Sequence, residues 1–287
     1  MSNPPEASNA PVARGTPPQA SARSANPDEG KKKAAGESWI ETAKTIVYAL
    51  LIAFVIRTFF FQPFNIPSGS MENTLLVGDY LFVEKFAYGY SRYSFPFDGP
   101  PVSGRAFASS PHRGDVVVFK MPNPNSPDYM KDFIKRVIGL PGDRIQMIGG
   151  QLHLNGKAIP KVRVADYVTA DPPCPMTSDA GPDGLYRIPR YRESLPGGKN
   201  YYVLDCMPEG PSDNTPVYIV PPGHYFMMGD NRDNSADSRA DVGYVPSDDL
   251  EGKAVIIFFS LKDSAVWYEP WTWPTAIRYN RMFTLID

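Results

Sequence analysis

The longest uninterrupted apolar stretch in this 287-residue chain runs from Ile46 to Ile56 without a charge, with Lys44 before it and Arg57, Phe59, Phe60 and Phe61 after it. Taken as a helix from Thr45 to Phe61 it is about 25 Å long, close to the hydrocarbon thickness of a bilayer when the Arg57 side chain reaches outward. A buried core helix or the apolar centre of a cleaved signal sequence has a similar pattern. No small-x-small cleavage site follows, because the chain continues with three phenylalanines, Gln62, Pro63 and Phe64. An uncleaved anchor over residues 39–61 is therefore expected. Lys31, Lys32 and Lys33 precede it and outnumber the single Arg57, which places the N-terminus in the cytoplasm and residues beyond about 62 outside.

Beyond the anchor the period changes. Leu81–Val83, Asp115–Phe119, Phe133–Ile138 and Ala254–Phe259 are short branched or aromatic runs bounded by Gly, Pro or Asp, the pattern of strands. Between Arg144 and Ile159, Gly149-Gly150 and Asn155-Gly156 separate short alternating runs and predict consecutive hairpins. Amphipathic helices do not alternate with these strands, which excludes a doubly wound parallel sheet. The expected fold is mainly β: a mixed, largely antiparallel domain over 62–287, preceded by one transmembrane helix. Its core covers about 62–143 and 221–287, and a Pro-, Gly- and Asp-rich segment of about 144–220 forms an inserted irregular β lobe.

Residues 1–38 are rich in Pro, Ala, Ser and Asn and have few large apolar side chains, so a disordered cytoplasmic tail is expected there. Apolar residues make up 42% of the whole chain, enough for a real core, and the formal net charge of −2 offers no field for nucleic acid. Two cysteines, Cys174 and Cys206, lie outside any CxxC spacing, which argues against zinc or thioredoxin-like chemistry. They form either a disulfide, worth roughly 3 to 4 kcal/mol in an oxidising compartment, or two separate thiols.

Three segments carry candidate chemistry. Pro67-Ser68-Gly69-Ser70 follows the anchor closely and forms a turn that either presents a serine or is an ordinary surface turn. Of the three histidines, His112, His153 and His224, none lies in a sequence that marks a serine's base. Lys135 lies inside an apolar strand, where loss of water can lower its pKa by the roughly three pH units, about 4 kcal/mol, that a lysine base needs. A solvated edge-strand lysine fits the same pattern. Alternation along the strand places Lys135 and Arg136 on opposite faces, with at most one pointing into the core. The run from Gly229 to Arg239 resembles a calcium loop in composition, but counting from Asp233 puts Ser238 at the sharp-turn Gly position and Tyr244 at the bidentate Glu position. No metal and no cofactor are expected; Asp237 and Arg239 are available as an ion pair.

Four segments in order resemble the bacterial type I signal peptidases (leader peptidases): Ile66 to Met71, Gly78 to Lys85, Lys135 to Asp143 and Gly229 to Arg239. The resemblance implies a Ser/Lys dyad serine protease of the bacterial inner membrane with its catalytic domain periplasmic. In it Ser70 is the nucleophile and Lys135 the base, while Ser68 and Ser70 supply the oxyanion hole. Ser235 hydrogen-bonds Lys135, and Asp237 and Arg239 buttress the site. Phe64, Ile66, Pro67, Leu75, Phe133 and Ile134 match the pocket positions that admit small side chains, the Ala-x-Ala pattern. Asn73 departs from the proline common at that place. The implied partners are signal peptides of exported preproteins, membrane lipid and the secretion translocon. Phe258, Phe259, Trp267, Tyr268, Trp271 and Trp273 are aromatics suited either to a membrane surface or to a packed C-terminal segment. Two other functions remain compatible: a specialised pilus or conjugation maturation peptidase with the same dyad, and a non-catalytic anchored β domain that binds exported polypeptides.

Overall fold

The computed structural model describes residues 27–95, 99, 104–172, 174, 180–262, 271 and 273–286, with side chains from Trp39 onward. Helix α1 spans Pro27–Phe59. It therefore begins well inside the segment expected to be disordered. Pro27 suits a first helical turn, and Lys31 to Ala35 are residue types of good helix propensity. Within it, Trp39–Phe59 is long and apolar enough to cross a membrane, and its large apolar side chains are exposed. A core helix would bury its apolar face. The helix stops two residues short of the expected boundary, because Phe61 already belongs to the first strand.

The described residues divide into two units, the helix up to Leu51 and the residues from Ile52 onward. The second is built on one antiparallel sheet. Strand β1 (Phe61–Asn65) is its edge and pairs with β2 (Asp79–Glu84), which pairs with the long strand Leu250–Ser260. Next come β3 (Val116–Lys120), β4 (Asp132–Gly139), His224–Met228 and Val245–Pro246. All four expected strand runs are present. Val116 to Phe119 is buried throughout, as a central strand covered on both faces must be.

The segment 144–220 is more regular than its composition suggests. Arg144–Ile148, Gln151–Leu154 and Lys157–Ala158 are consecutive antiparallel strands, as the hairpin signals predict. Their turns place both central residues at positive φ, 54° and 72° at Gly149-Gly150 and 54° and 78° at Asn155-Gly156, the geometry that fits the twist of two-residue hairpins. Three further strands, Lys161–Arg163, Arg190–Ser194 and Asn200–Leu204, form a small sheet of their own. The lobe shares its core with the main sheet: Ile145, Met147, Leu152 and Val203 pack in one cluster with Ile138, Phe226 and Met228.

Candidate active site

Ser70 and Lys135 are 65 residues apart in sequence and come together because two different elements converge. Lys135 sits on β4, opposite Val117 of β3. Ser70 sits in a single 3₁₀ turn, Gly69–Met71, fastened from below by Met71 and Leu75, which are fully buried with Ile66 and Leu81. Leu75 N–H donates to Met71 O, closing the turn behind the serine.

Lys135 Nζ lies 2.6 Å from Ser70 Oγ and also donates to Ile134 O at 3.1 Å. The lysine is 3% exposed. Burial lowers its pKa to about 8, against the pull of Asp237 and Asp230 in the other direction. Both carboxylates are occupied elsewhere. Asp237 takes the Arg239 guanidinium through Nε and Nη2 at 3.0 and 2.8 Å, and Asp230 takes that of Arg136 at 2.8 and 2.7 Å. Among the described residues Lys135 has no ion-pair partner, so the neutral amine is accessible near physiological pH.

Arg136 corrects the expectation that only one of the two neighbours enters the core. It has no exposed surface, and Lys135 on the other face is buried as well. The alternation holds, but β4 lies between β3 and His224–Met228 with both faces covered. Asp230, Thr74 and Tyr201 complete the Arg136 environment: Thr74 Oγ1 donates to Asp230 Oδ2 and the guanidinium lies over the Tyr201 ring. The Arg136–Asp230 pair and a second buried one, Arg232–Glu193 at 2.6 Å, were not separable in the sequence from the polar loop around them.

The Gly229-to-Arg239 loop packs directly on Ser70. A Cβ at Gly229 would lie 2.3 Å from Ser235 Oγ and 2.5 Å from Ser70 O, so only glycine fits. The Asp237–Arg239 pair forms as expected, and Gly229 N–H donates to Asp237 Oδ2. The expected Ser235–Lys135 hydrogen bond does not form. The amine is turned to Ser70 and Ile134, and Ser235 Oγ is buried against Gly229 with no hydrogen-bond partner among the described residues.

Of the pocket residues, Phe64, Ile66, Leu75 and Ile134 converge on one apolar cluster. Leu75 has no exposed surface and backs that cluster from behind instead of lining it, while Pro67 is exposed. Phe133 belongs to the other cluster, with Val117 and Phe119. Ser68, the cap of the 3₁₀ turn, is exposed and its hydroxyl makes no capping bond. Ser70 occupies the first turn of that helix, where an N–H has no intrahelical acceptor. A cleft of about 440 Å³ opens beside Gly69, bordered by Glu72, Tyr167, Asp171, Asn234 and Arg278.

Cys174 and Cys206 are joined in a disulfide. His153 and His224 face backbone oxygens of Gln151 and Pro222, and His112 is exposed. Phe258 stacks on Phe82 with centroids 4.3 Å apart, and Trp271 is exposed; Trp267 and Tyr268 lie outside the described residues. Among the described residues, no group of three or more His, Cys, Asp or Glu side chains could hold a metal ion.

Comparison with known proteins adds three findings. Residues 39–259 match the family described as signal peptidase, peptidase S26. Proteins named signal peptidase I from Rickettsia typhi and Rickettsia conorii are 40% and 36% identical over 260 and 279 residues, covering 83% and 90% of this chain and 90% and 96% of theirs. A crystal structure of a signal peptidase I from Enterococcus faecalis is 22% identical and covers 50% of this chain and 97% of that one, with a TM-score of 0.26 that is too low to bear on the fold.

Proposed function

The chain belongs to the signal peptidase family, peptidase S26, and from that premise we propose that it cuts signal peptides from exported preproteins with Ser70 as nucleophile and Lys135 as base. The observation that carries this reading is the 2.6 Å approach of a buried lysine without a carboxylate partner to a serine hydroxyl. Neutral Lys135 Nζ takes the Ser70 Oγ proton as Oγ attacks the carbonyl carbon before the cut. The oxyanion that forms is met by the Ser70 N–H and the Ser68 hydroxyl. Collapse breaks the C–N bond, and the Lys135 ammonium returns its proton to the amine of the departing mature protein. Water, deprotonated by the same lysine, then hydrolyses the acyl-serine.

Placement of the substrate follows from two open strand edges. β1 is the outermost strand, and residues 132–135 of β4 extend beyond the pairing of His224–Met228, which begins at Arg136. An extended peptide pairs with such edges, and the Phe64, Ile66 and Ile134 side chains leave room for small residues such as the alanines of Ala-x-Ala. The Trp39–Phe59 helix anchors the enzyme. The lysines that precede it orient the N-terminus to the cytoplasm and the catalytic unit to the periplasmic side of the inner membrane, beside lipid and the translocon that delivers the substrate.

The test uses detergent-solubilised enzyme and a preprotein with Ala-x-Ala before the cut. Ser70→Ala and, separately, Lys135→Ala lower kcat by at least about 10³-fold, and a bulky residue in place of the last alanine of the signal peptide blocks cleavage by the wild type. Near-normal cleavage by either variant overturns the dyad.

A further inference from the structure

Asn231 has no exposed surface and reaches the nucleophile twice. Its backbone N–H donates to Ser70 O at 3.1 Å, and its side-chain Nδ2 donates to Gly69 O at 3.2 Å. Because Gly69 O can only accept, the amide orientation is decided: Nδ2 faces the serine turn and Oδ1 faces away. Oδ1 meets the Cys174–Cys206 disulfide, 3.2 Å from Cys174 Sγ and 3.7 Å from Cys206 Sγ. Disulfide sulfurs carry no proton, so these are packing contacts, and the bridge is a wall that holds the amide in place.

That wall is itself tied to the catalytic loop. Cys206 and Met207 N–H both donate to Asp233 Oδ2, at 2.7 and 2.9 Å. Leu204 N–H donates to Asp230 O, and Arg232 N–H returns to Leu204 O. The segment 204–207 and the loop 230–233 therefore move together, with Asn231 between the disulfide and the serine.

We infer that the Cys174–Cys206 disulfide is a positioning element of the active site, acting through Asn231 on the Gly69-Ser70 backbone. This rests on Ser70 being the nucleophile. Oxidation contributes to turnover as well as to folding. Without the bridge, Asn231 can tilt, the two carbonyls it holds lose their donors, and the serine turn drifts by a fraction of an ångström. A displacement near 1 Å in an active site costs up to about 10²-fold in rate.

The experiment compares the full-length wild type with Cys174→Ser/Cys206→Ser, Asn231→Asp, Asn231→Ala and the triple variant. Each is assayed for kcat and KM on one preprotein well below its melting temperature, with near-UV circular dichroism confirming a folded state. The cysteine variant is expected to lose about tenfold in kcat with KM within about twofold, and its acid limb stays at the wild-type pH because Lys135 is untouched. Asn231→Asp keeps the shape and the disulfide but removes the Nδ2 donor, and it loses at least as much. The triple variant is no worse than Asn231→Ala, because both changes break one chain of contacts. Unchanged kcat in folded cysteine variant, or losses that multiply in the triple variant, overturns the inference. If the cysteine variant does not fold, unchanged kcat in Asn231→Asp overturns it instead. Ser70→Ala in the same assay separates the two readings: if it is inactive while the cysteine variant is fully active, only this inference fails.

Discussion

Among the described residues two lysines are buried, and the difference between them shows what a lysine base requires. Lys135 is 3% exposed and Lys85, at the end of β2, is 2% exposed. Burial lowers the pKa of both; at Lys85 Glu251 opposes that effect and Arg57 adds to it. Lys135 Nζ meets the Ser70 hydroxyl at 2.6 Å, whereas Lys85 Nζ donates to the Gln62 side-chain oxygen at 2.9 Å. An amide oxygen has no proton to surrender. Burial therefore supplies a more available amine in two places, and of the two only the Lys135 amine faces a hydroxyl.

The comparison can be broken most severely at Lys135. Lys135→Arg keeps the charge but cannot deprotonate near neutral pH, so kcat is expected to fall by at least about 10³-fold while the fold, read by circular dichroism, is retained. As the proposed base, Lys135 works only when neutral. As pH falls below about 8, kcat/KM drops toward tenfold per pH unit. A flat acid limb down to pH 5 would mean that another group takes the proton. The stability consequence has the opposite bearing on the proton: the unfolded chain binds it more tightly, so Lys135 raises stability as pH climbs from about 8 toward 10.5.

A smaller effect sharpens the contrast with Arg136, the buried cation that does have a counter-charge. Arg136→Leu leaves Asp230 buried without its guanidinium and should cost about 3–5 kcal/mol, read as a lowered denaturant midpoint. Arg136→Leu/Asp230→Leu should recover part of that loss; no recovery would show that the pair serves packing alone. The smallest effect belongs to Lys85. Lys85→Met removes a buried charge at nearly constant volume, and kcat should stay within about twofold. A large loss of kcat there would place Lys85 in the reaction and dissolve the distinction.

Legibility followed locality. The runs at 81–83, 115–119, 133–138 and 254–259 read as strands because branched and aromatic residues fit a pleated, covered surface; three lie within an observed strand and the run at 115–119 does so from Val116 onward. Gly149-Gly150 and Asn155-Gly156 read as hairpin turns because their positive φ values are a local demand. Ser70 and Lys135, taken singly, each had a plain structural reading, and only their order with the Gly78 and Gly229 segments pointed to a protease. Arg136 was misjudged because alternation says which face a side chain takes and nothing about whether that face is covered. The hydrogen bond assigned to Ser235 failed for a related reason: proximity in a motif does not say which of several polar neighbours an amine will choose.

By itself, the sequence determined an apolar helix near residues 39–61, the strands, the two hairpin turns and the residue types of the site, since each follows from periodicity or from backbone sterics over a few residues. Only the tertiary structure decided that both faces of β4 are covered, that Asp230 is occupied by Arg136, and that Lys135 is left facing Ser70. Those outcomes depend on burial and on competition for partners far apart in the chain, and both are properties of the packed molecule.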